Sequence, residues 1–453
     1  MTGAPTASGR IADYVVSVDP ARTSEETVHA VARAFLDTFA VTVAATGDPV
    51  HRVLSGYVGA SAGPASLWVG AGSATPEHAA LFNGGVGHVL DYDDVTSPLR
   101  GHPSIALLPA LVAAAEGTGA DGRRLSAAYA VGFEVICRLA KACAFDHYAR
   151  GWHSTTTIGL LGATAAVAHL MGLGRDAVRD ALGLAVAQAA GTRQNFGTMA
   201  KSFQAGSCGA AALRSVALAG AGMSASPEAL DGPTGGFLRM YSTQAAAEVL
   251  DAELASLGQA PGELVTSGID VKKYPLCYAT HRTIDSVLDL RGEHGLTLAA
   301  VDRVEVRANS GGLSPLLHDR PATGLEAKFS MQFAVATALL DGEVKLRSFD
   351  DDQVLRPQIQ EFLPRVGAGE DDGPPLPRWA DLTLHLADGR TLHRRTHVLR
   401  GSAQDPLTDD DLREKVADCF DRGGLADRTK PFAEAVFGWA DQPVRSVLAR
   451  RLP

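Results

Sequence analysis

Four short segments concentrate the side chains able to move protons or hold an anion. The first, GHVLDYDDVTSPLRGHPS at residues 87–104, sets Asp91, Asp93 and Asp94 between His88 and His102. Carboxylates this close repel unless one is protonated or each finds a donor, so perturbed acid–base behaviour is expected here. If the preceding helix ran on, Asp91 and Asp94 would share a face. His102 precedes Pro103 and Ser104 at the start of a fresh apolar run, a helix start whose outward amides suit an anion. The competing reading has two of the aspartates capping helices and the rest facing solvent. No HExxH or His–Asp facial pattern accompanies the cluster, so no metal ligands are assigned.

The second segment, YARGWHSTTTIG at 148–159, places His153 in a polar stretch ahead of an Ala-rich run, as a candidate acid or base or simply a helix-cap neighbour. In the third, NFGTMAKSFQAGSCGAAA at 195–212, Lys201 stands among apolar and small residues, where it either snorkels to water or meets an anion. The fourth, GIDVKKYPLCYATHR at 268–282, gathers Lys272, Lys273, His281 and Arg282 in an acidic chain, either as a carboxylate-binding edge or as a solvated linker. No GxxxxGK loop and no dinucleotide fingerprint after a strand occurs, so neither ATP nor NAD is expected. Cys208 and Cys277 lack a histidine at a recognisable spacing and read as small buried hydrophobes.

These groups must be positioned by a chain of 453 residues, long enough for two domains. Apolar residues at helical spacing run through Glu25–Val43, Pro76–Val89, Ser104–Glu116, Leu125–Ala144, Thr157–Met171 and Arg175–Ala190, so the first 250 residues read as helical. Their small residues permit close crossings. TGADGRRLS at 118–126 puts Gly and Asp before Ser126 as a helix cap, and LDGPTGGFLRMY at 230–241 reads as a loop. Beyond residue 265 the pattern changes. VDRVEVRAN at 301–309 alternates as a strand, and residues 379–399 read as a hairpin turning at Asp388-Gly389. Helices are expected at Tyr278–Leu290 and Lys328–Leu340, an exposed loop at 367–378, and helix again after Asp409, through Phe420 and then Pro431–Ala449. The expected fold is mainly α, with an all-helical domain (1–267 with 405–453) and a smaller α+β lid domain (268–404).

Composition excludes several classes. A formal charge of −10, from 41 Lys and Arg against 51 Asp and Glu, argues against nucleic acid as a partner but not against a small anion. Five widely spaced cysteines without a CxxC make a disulfide framework or structural zinc unexpected. No apolar run reads as a span of about 20 residues and no signal peptide is evident, so a cytoplasmic protein without membrane partners is expected.

Taken in order, FNGGVGHVLDYDD, GHPSIALLPALVAAAE, AYAVGFEVICRLA, GWHSTTTIGLLGATAAVAHLMGL, NFGTMAKSFQAG, DGPTGGF and VKKYPLCYATHRTID resemble the MmgE/PrpD family. The resemblance runs from about residue 10 to past 440. It implies a large helical domain built from both chain ends, a smaller α+β lid, a homodimer, and no metal or organic cofactor. The family includes 2-methylcitrate dehydratase, cis-aconitate decarboxylase and iminodisuccinate epimerase, which act beside a carboxylate of a small polycarboxylate. The resemblance puts the catalytic groups on Asp93, His102, His153 and Lys201, with Lys272, Thr96, Tyr92, Gln204 and His318 binding the substrate and Asp94 orienting the loop. Two departures stand out: Gln204 where many members carry His, and Ser207 where many carry a basic residue. Fewer cations favour a less charged substrate or a different pose. The expected reaction is dehydration of a small hydroxy-polycarboxylate. Epimerisation of an imino or amino dicarboxylate and decarboxylation of an unsaturated tricarboxylate are the alternatives, with a non-catalytic binding protein as the other class.

Overall fold

The computed structural model describes residues 6–59, 61–143, 146–243 and 247–451. The chain divides into two compact units, one of Met1–Val89, Asp93–Asp270 and Leu412–Pro453, the other of Leu90–Tyr92 and Val271–Asp411. The sequence reading put these divisions at 268 and 405. It did not separate the three-residue piece Leu90–Tyr92, which carries no signal of its own in a chain read segment by segment.

The first unit is helical: α1 (Ala7–Ser17), α2 (Glu25–Ala44), α3 (Pro49–Val58), α4 (Pro76–Gly87), α5 (Pro103–Thr118), α6 (Gly122–Cys143), α7 (Asp146–Ala149), α8 (Ser154–Leu170), α9 (Arg175–Val186) and α10 (Met199–Gly220). A two-stranded ribbon, β1 (Ala65–Ser66) with β2 (Ser73–Ala74), precedes α4. Helix α8 packs on α5, α6 and α10, and α10 lies along α4. Small residues make this possible: a Cβ on Gly206 of α10 would collide with the Leu81 carbonyl of α4. Helix α10 was not anticipated, because its GSCGAAA run has no apolar–polar period. Nor does Ser126 cap α6. It sits inside the helix and donates to the Gly122 carbonyl, while Asp121 takes the capping role by accepting from Arg124 N at 2.9 Å.

Helix α2 is long and apolar enough to match a membrane span, contrary to the sequence reading. Its surface is committed to the protein interior instead. Phe35 and Phe39 pack against Trp68 and against residues that return from the C-terminus, with the Phe39 and Phe432 rings 4.4 Å apart and Phe35 and Trp439 5.2 Å apart.

The second unit holds a four-stranded sheet, β3 (Val301–Asn309), β4 (Val366–Asp371), β5 (Ala380–Leu386) and β6 (Thr391–Thr396), in the order β4-β3-β5-β6. The hairpin β5–β6 turns through Asp388-Gly389, with Gly389 at φ 90°. Strand β4 corrects the expected loop at 367–378: it pairs in parallel with β3, Val304 opposite Val366. An edge strand of sequence VGAGED has no alternation to read, and its pairing partner lies some 60 residues away in sequence. Helices α11 (His281–His294) and α12 (Met331–Asp341) cover one face, burying Ile284, Val287, Phe333 and Leu339 against Val304, Leu382 and Leu384. Helix α13 (Asp409–Arg422) and α14 (Thr429–Phe437) follow. The single helix expected over Pro431–Ala449 is broken after Phe437, where Gly438 caps α14.

Behind the aromatic cluster lies a buried ion pair. Lys415 Nζ of α13 stands 2.5 Å from Asp37 Oδ1 of α2, both side chains almost wholly inaccessible. Removing one partner leaves an uncompensated buried charge. Lys415→Met should therefore lower unfolding free energy by about 3–5 kcal/mol in urea titrations, and adding Asp37→Asn should restore most of it. A loss under about 1 kcal/mol for the single variant would show that the pair contributes little.

Candidate active site

The loop after α4 decides the site. Helix α4 ends at Gly87 with His88 as its C-cap, so Asp91 and Asp94 never share a helix face. Asp91, at φ 52°, turns the chain, and the three aspartates take different partners. Asp93 is fully buried, with its Oδ2 2.9 Å from His88 Nδ1 and 3.0 Å from His102 Nδ1. Asp94 accepts from Ser104 N at 3.2 Å and makes a very short bond with Ser104 Oγ, which in turn lies 2.7 Å from the Tyr129 hydroxyl.

His102 and His153 are both helix N-caps, of α5 and α8, and neither ring is used as a cap. His102 N donates to Thr155 Oγ1 at 3.1 Å, which ties the two helix starts together. His153 N donates to the Gly191 carbonyl at 3.1 Å, and Arg193 N to the Gly151 carbonyl at 2.8 Å. Gly191 is required there: its φ is 119°, and a Cβ would collide with Thr156 Oγ1.

The rings close on one another. His88 is edge-on to His102 at 4.5 Å between centroids and stacked on His153 at 5.9 Å. Phe196 meets His153 edge-on at 5.0 Å, and Lys201 Nζ lies 5.3 Å from the Phe196 ring centre. Gln204 Nε2 is 3.2 Å from His153 Nδ1. Asp93, His102, His153, Lys201 and Gln204 thus come together, with His88 at the centre. The sequence reading noted His88 but gave it no role. Its signal was the five-residue step to Asp93 across a helix end.

Other anticipated residues do different work. Thr96 Oγ1 donates to the Gly268 carbonyl at 2.9 Å, bracing the loop rather than presenting its hydroxyl. In the second unit, Lys272 is buried and paired with Asp91 Oδ2 at 3.0 Å, and Tyr92 donates to the Lys273 carbonyl at 3.0 Å. Lys273 is 3.6 Å from Asp411, Arg282 donates to the His397 carbonyl, and His281 is buried near the Leu276 carbonyl. The positive run at 268–282 is therefore not one cationic edge, because each charge is met by its own partner. His318 is half-buried, with its N–H directed to the Phe329 carbonyl.

Electrostatics assign the protons. Burial alone would raise the Asp93 pKa, but His102 and His88 outweigh it and hold the carboxyl well below the usual range. Asp94 goes the other way, raised well above it by burial and by the nearby Asp37. Burial pushes His88 down to about 4, against the pull of Asp93. Burial likewise drives His153 well below the usual imidazole value, assisted by His88 and Lys201. The two neighbouring carboxyls are thus pushed in opposite directions and both imidazoles are held against protonation, with Lys201 alongside.

Ligand atoms of His88, Asp93 and His102 lie within 4.8 Å of one another, the one such metal-capable trio among the described residues. Both histidines already direct Nδ1 to the same carboxylate oxygen at hydrogen-bond distance. The His88–Asp93 contact is a hydrogen bond, and we read the trio as an acid–base network.

An internal acid–base cluster at converging helix starts, in a chain with an inserted α+β unit, defines a class of enzymes that handle small anions. The comparisons identify the class. The MmgE/PrpD N-terminal domain matches residues 9–250 and the MmgE/PrpD C-terminal domain residues 274–437. The chain belongs to the MmgE/PrpD family. It is 29% identical to cis-aconitate decarboxylase of Mus musculus over 404 residues, covering 84% of this chain and 80% of the relative. The enzyme of the same name from Homo sapiens is 29% identical over 359 residues (75% and 72%), and that from Aspergillus terreus 27% over 314 (66% and 64%). These findings support lyase-type chemistry on a small polycarboxylate.

A buried neutral histidine makes stability depend on pH. With the folded pKa of His88 near 4 and the ordinary value 6.5, the unfolded chain takes up a proton that the native state refuses. Stability is full above about pH 6.5 and falls as pH drops towards 4, by roughly 3 kcal/mol. Denaturation between pH 7 and 4.5 should show this loss, and His88→Gln should flatten it. An equal slope in the variant would mean that His88 is not held neutral.

Proposed function

We propose that the protein decarboxylates a small unsaturated polycarboxylate of the cis-aconitate type. The observation that carries this reading is the buried His88–Asp93–His102 network facing His153 and Lys201, in a family whose curated relatives above are decarboxylases. The relatives favour this alternative over the dehydration expected first from the sequence. Decarboxylation needs less of the site than dehydration does, since no hydroxyl has to leave.

Lys201 and the N-terminus of α8 offset the charge of the retained carboxylates. The carbon–carbon bond to the departing carboxylate breaks, carbon dioxide leaves with no electrons from that bond, and the pair stays on carbon, delocalised into the neighbouring unsaturated carboxylate. Preorganised positive groups stabilise that charge as it develops. A proton from His153 completes the carbon–hydrogen bond. Asp93 stays ionised and orients His102 through its Nδ1, as a carboxylate orients an imidazole in other acid–base sites. The homodimer implied by the family resemblance and the cytoplasmic location expected from the sequence belong to this proposal.

The test is a panel beginning with cis-aconitate and including hydroxy- and amino-dicarboxylates, run in deuterated water and read by mass spectrometry and NMR. Loss of carbon dioxide with one deuterium on the new methylene carbon is expected. Loss of water with a new alkene would make the protein a dehydratase, and deuterium with inverted configuration and no elimination an epimerase. His153→Ala should lower kcat by roughly 10²–10⁴-fold. Activity should survive exhaustive chelation; activity lost with a stoichiometric metal and regained on its return would convert the His88–Asp93–His102 trio into a metal centre.

A further inference from the structure

The two ring nitrogens of His153 keep different company. Nδ1 lies 3.2 Å from Gln204 Nε2, whereas Nε2 is buried and has no hydrogen-bond partner among the described residues. The direction of the Gln204 amide is fixed from outside the site. Its Oε1 accepts from Thr192 N at 2.7 Å and from Asn195 Nδ2 at 3.3 Å, and its Nε2 donates to the Thr192 carbonyl at 3.3 Å. A backbone N–H only donates and a carbonyl only accepts, so a reversed amide would set donor against donor and acceptor against acceptor on Thr192. The amide nitrogen therefore faces His153. Since it can only donate, Nδ1 of the imidazole must accept, and the single proton of the neutral ring sits on Nε2.

His88 is held the other way. Its Nδ1 is hydrogen-bonded to Asp93 Oδ2 at 2.9 Å, and an unprotonated Nδ1 there would face the carboxylate lone pair with its own. His88 therefore carries its proton on Nδ1 and leaves Nε2 as a lone pair. Two imidazoles of one site are thus prepared in opposite tautomers, one by an amide and one by a carboxylate.

We propose that Gln204 locks His153 in its Nε2–H tautomer, so that His153 is the proton donor of the site. Gln204 is a positioning residue: it acts through His153. The proposal rests on the decarboxylase reading for the identity of the carbon that receives the proton, but the tautomer itself does not. In the step, the double bond shifts to the carbon that released carbon dioxide, and the Nε2–H bond breaks as the carbon–hydrogen bond forms at the other end of the allylic system, next to a retained carboxylate. Nε2 regains its proton from water on product release, and the hydroxide so formed is taken up by the released carbon dioxide as bicarbonate. A neutral imidazole acts as an electrophilic hydrogen-bond donor where its surroundings keep it neutral. The charged and titratable groups facing His153 are His88 at the end of α4, Asp93 in the following loop, His102 at the start of α5 and Lys201 in α10.

The test combines a spectroscopic and a kinetic readout. In protein labelled with 15N-histidine, long-range proton–nitrogen correlation spectra report which ring nitrogen bears the proton, and the His153 signals are those lost in His153→Asn. Wild type should show Nδ1 bare and Nε2 protonated from pH 6 to 8. Gln204→Glu puts an acceptor on Nδ1 and should reverse the pattern. With cis-aconitate as substrate, its kcat should fall about 10²-fold at pH 8 with KM changed little, and recover as pH drops and the ring becomes doubly protonated. Gln204→Leu removes the partner without supplying a new one. It should show both tautomers and a smaller loss, about tenfold or less. A protonated Nδ1 in the wild type, or a Gln204→Glu spectrum like the wild type's, overturns the lock. A reversed spectrum with unchanged kcat and pH profile upholds the lock and removes His153 as donor. The expected spectrum with no turnover of cis-aconitate upholds the lock while the decarboxylase reading fails.

Discussion

One carboxylate oxygen, Asp93 Oδ2, serves two imidazoles inside a core that water does not reach. An ionised group cannot stay there unpaired, and its neighbours in the same core cannot all be ionised too. The three buried aspartates of this region solve the problem in three ways. Asp93 is held below the usual carboxylate range between His88 and His102, Asp94 is raised above it and bonded to Ser104, and Asp37 is paired with Lys415. The arrangement of α2, α4, α5 and α13 around the site follows from that division. Helix α2 brings Asp37, the loop after α4 brings Asp93 and Asp94, and α13 returns from the far end of the chain to deliver Lys415.

The site trades local stability for access. His102 and His153 occupy N-caps where Ser, Thr or Asp would hydrogen-bond the first turn and contribute about 1 kcal/mol. Neither ring caps its helix; on α5 the Ser104 amide is met instead by Asp94. The approach loop carries Asp91 and Arg100, the two non-glycine residues with positive φ among those described, at 52° and 51°. Such backbone is held by its surroundings: the loop is closed by Thr96 N to the Gly101 carbonyl and braced by Thr96 Oγ1 to Gly268.

Gln204 changes meaning once its contacts are known. As a departure from the family pattern it reads as a lost cation and hence a less charged substrate. In the structure its amide is engaged by Thr192, Asn195 and His153 at once, so its chemistry is orientation of a ring rather than attraction of an anion. The positive charge beside His153 is left to Lys201.

Much of the architecture was legible because periodicity is a local property. Residues 301–309 alternate and form β3, the hairpin turns where Asp-Gly permits a positive φ, and α2, α4, α5 and α8 fall within a few residues of their apolar runs. Strand β4 and helix α10 were not legible, since one depends on a partner strand some 60 residues distant and the other is too rich in small residues to show a face. The motifs around Asp93, His102, His153 and Lys201 could be picked out because residue type and resemblance both mark them. What no segment encodes alone is which nitrogen of each histidine meets which partner. That is set across sequence separations of five residues for His88 with Asp93 and 51 for His153 with Gln204, and by whether water is excluded from each pair. The sequence therefore determined which groups are present and roughly where the helices lie. Tertiary packing decided which carboxyl is lowered and which raised in pKa, which imidazole nitrogen meets Gln204, and that Lys272 pairs with Asp91, because protonation follows burial and through-space contact rather than order along the chain.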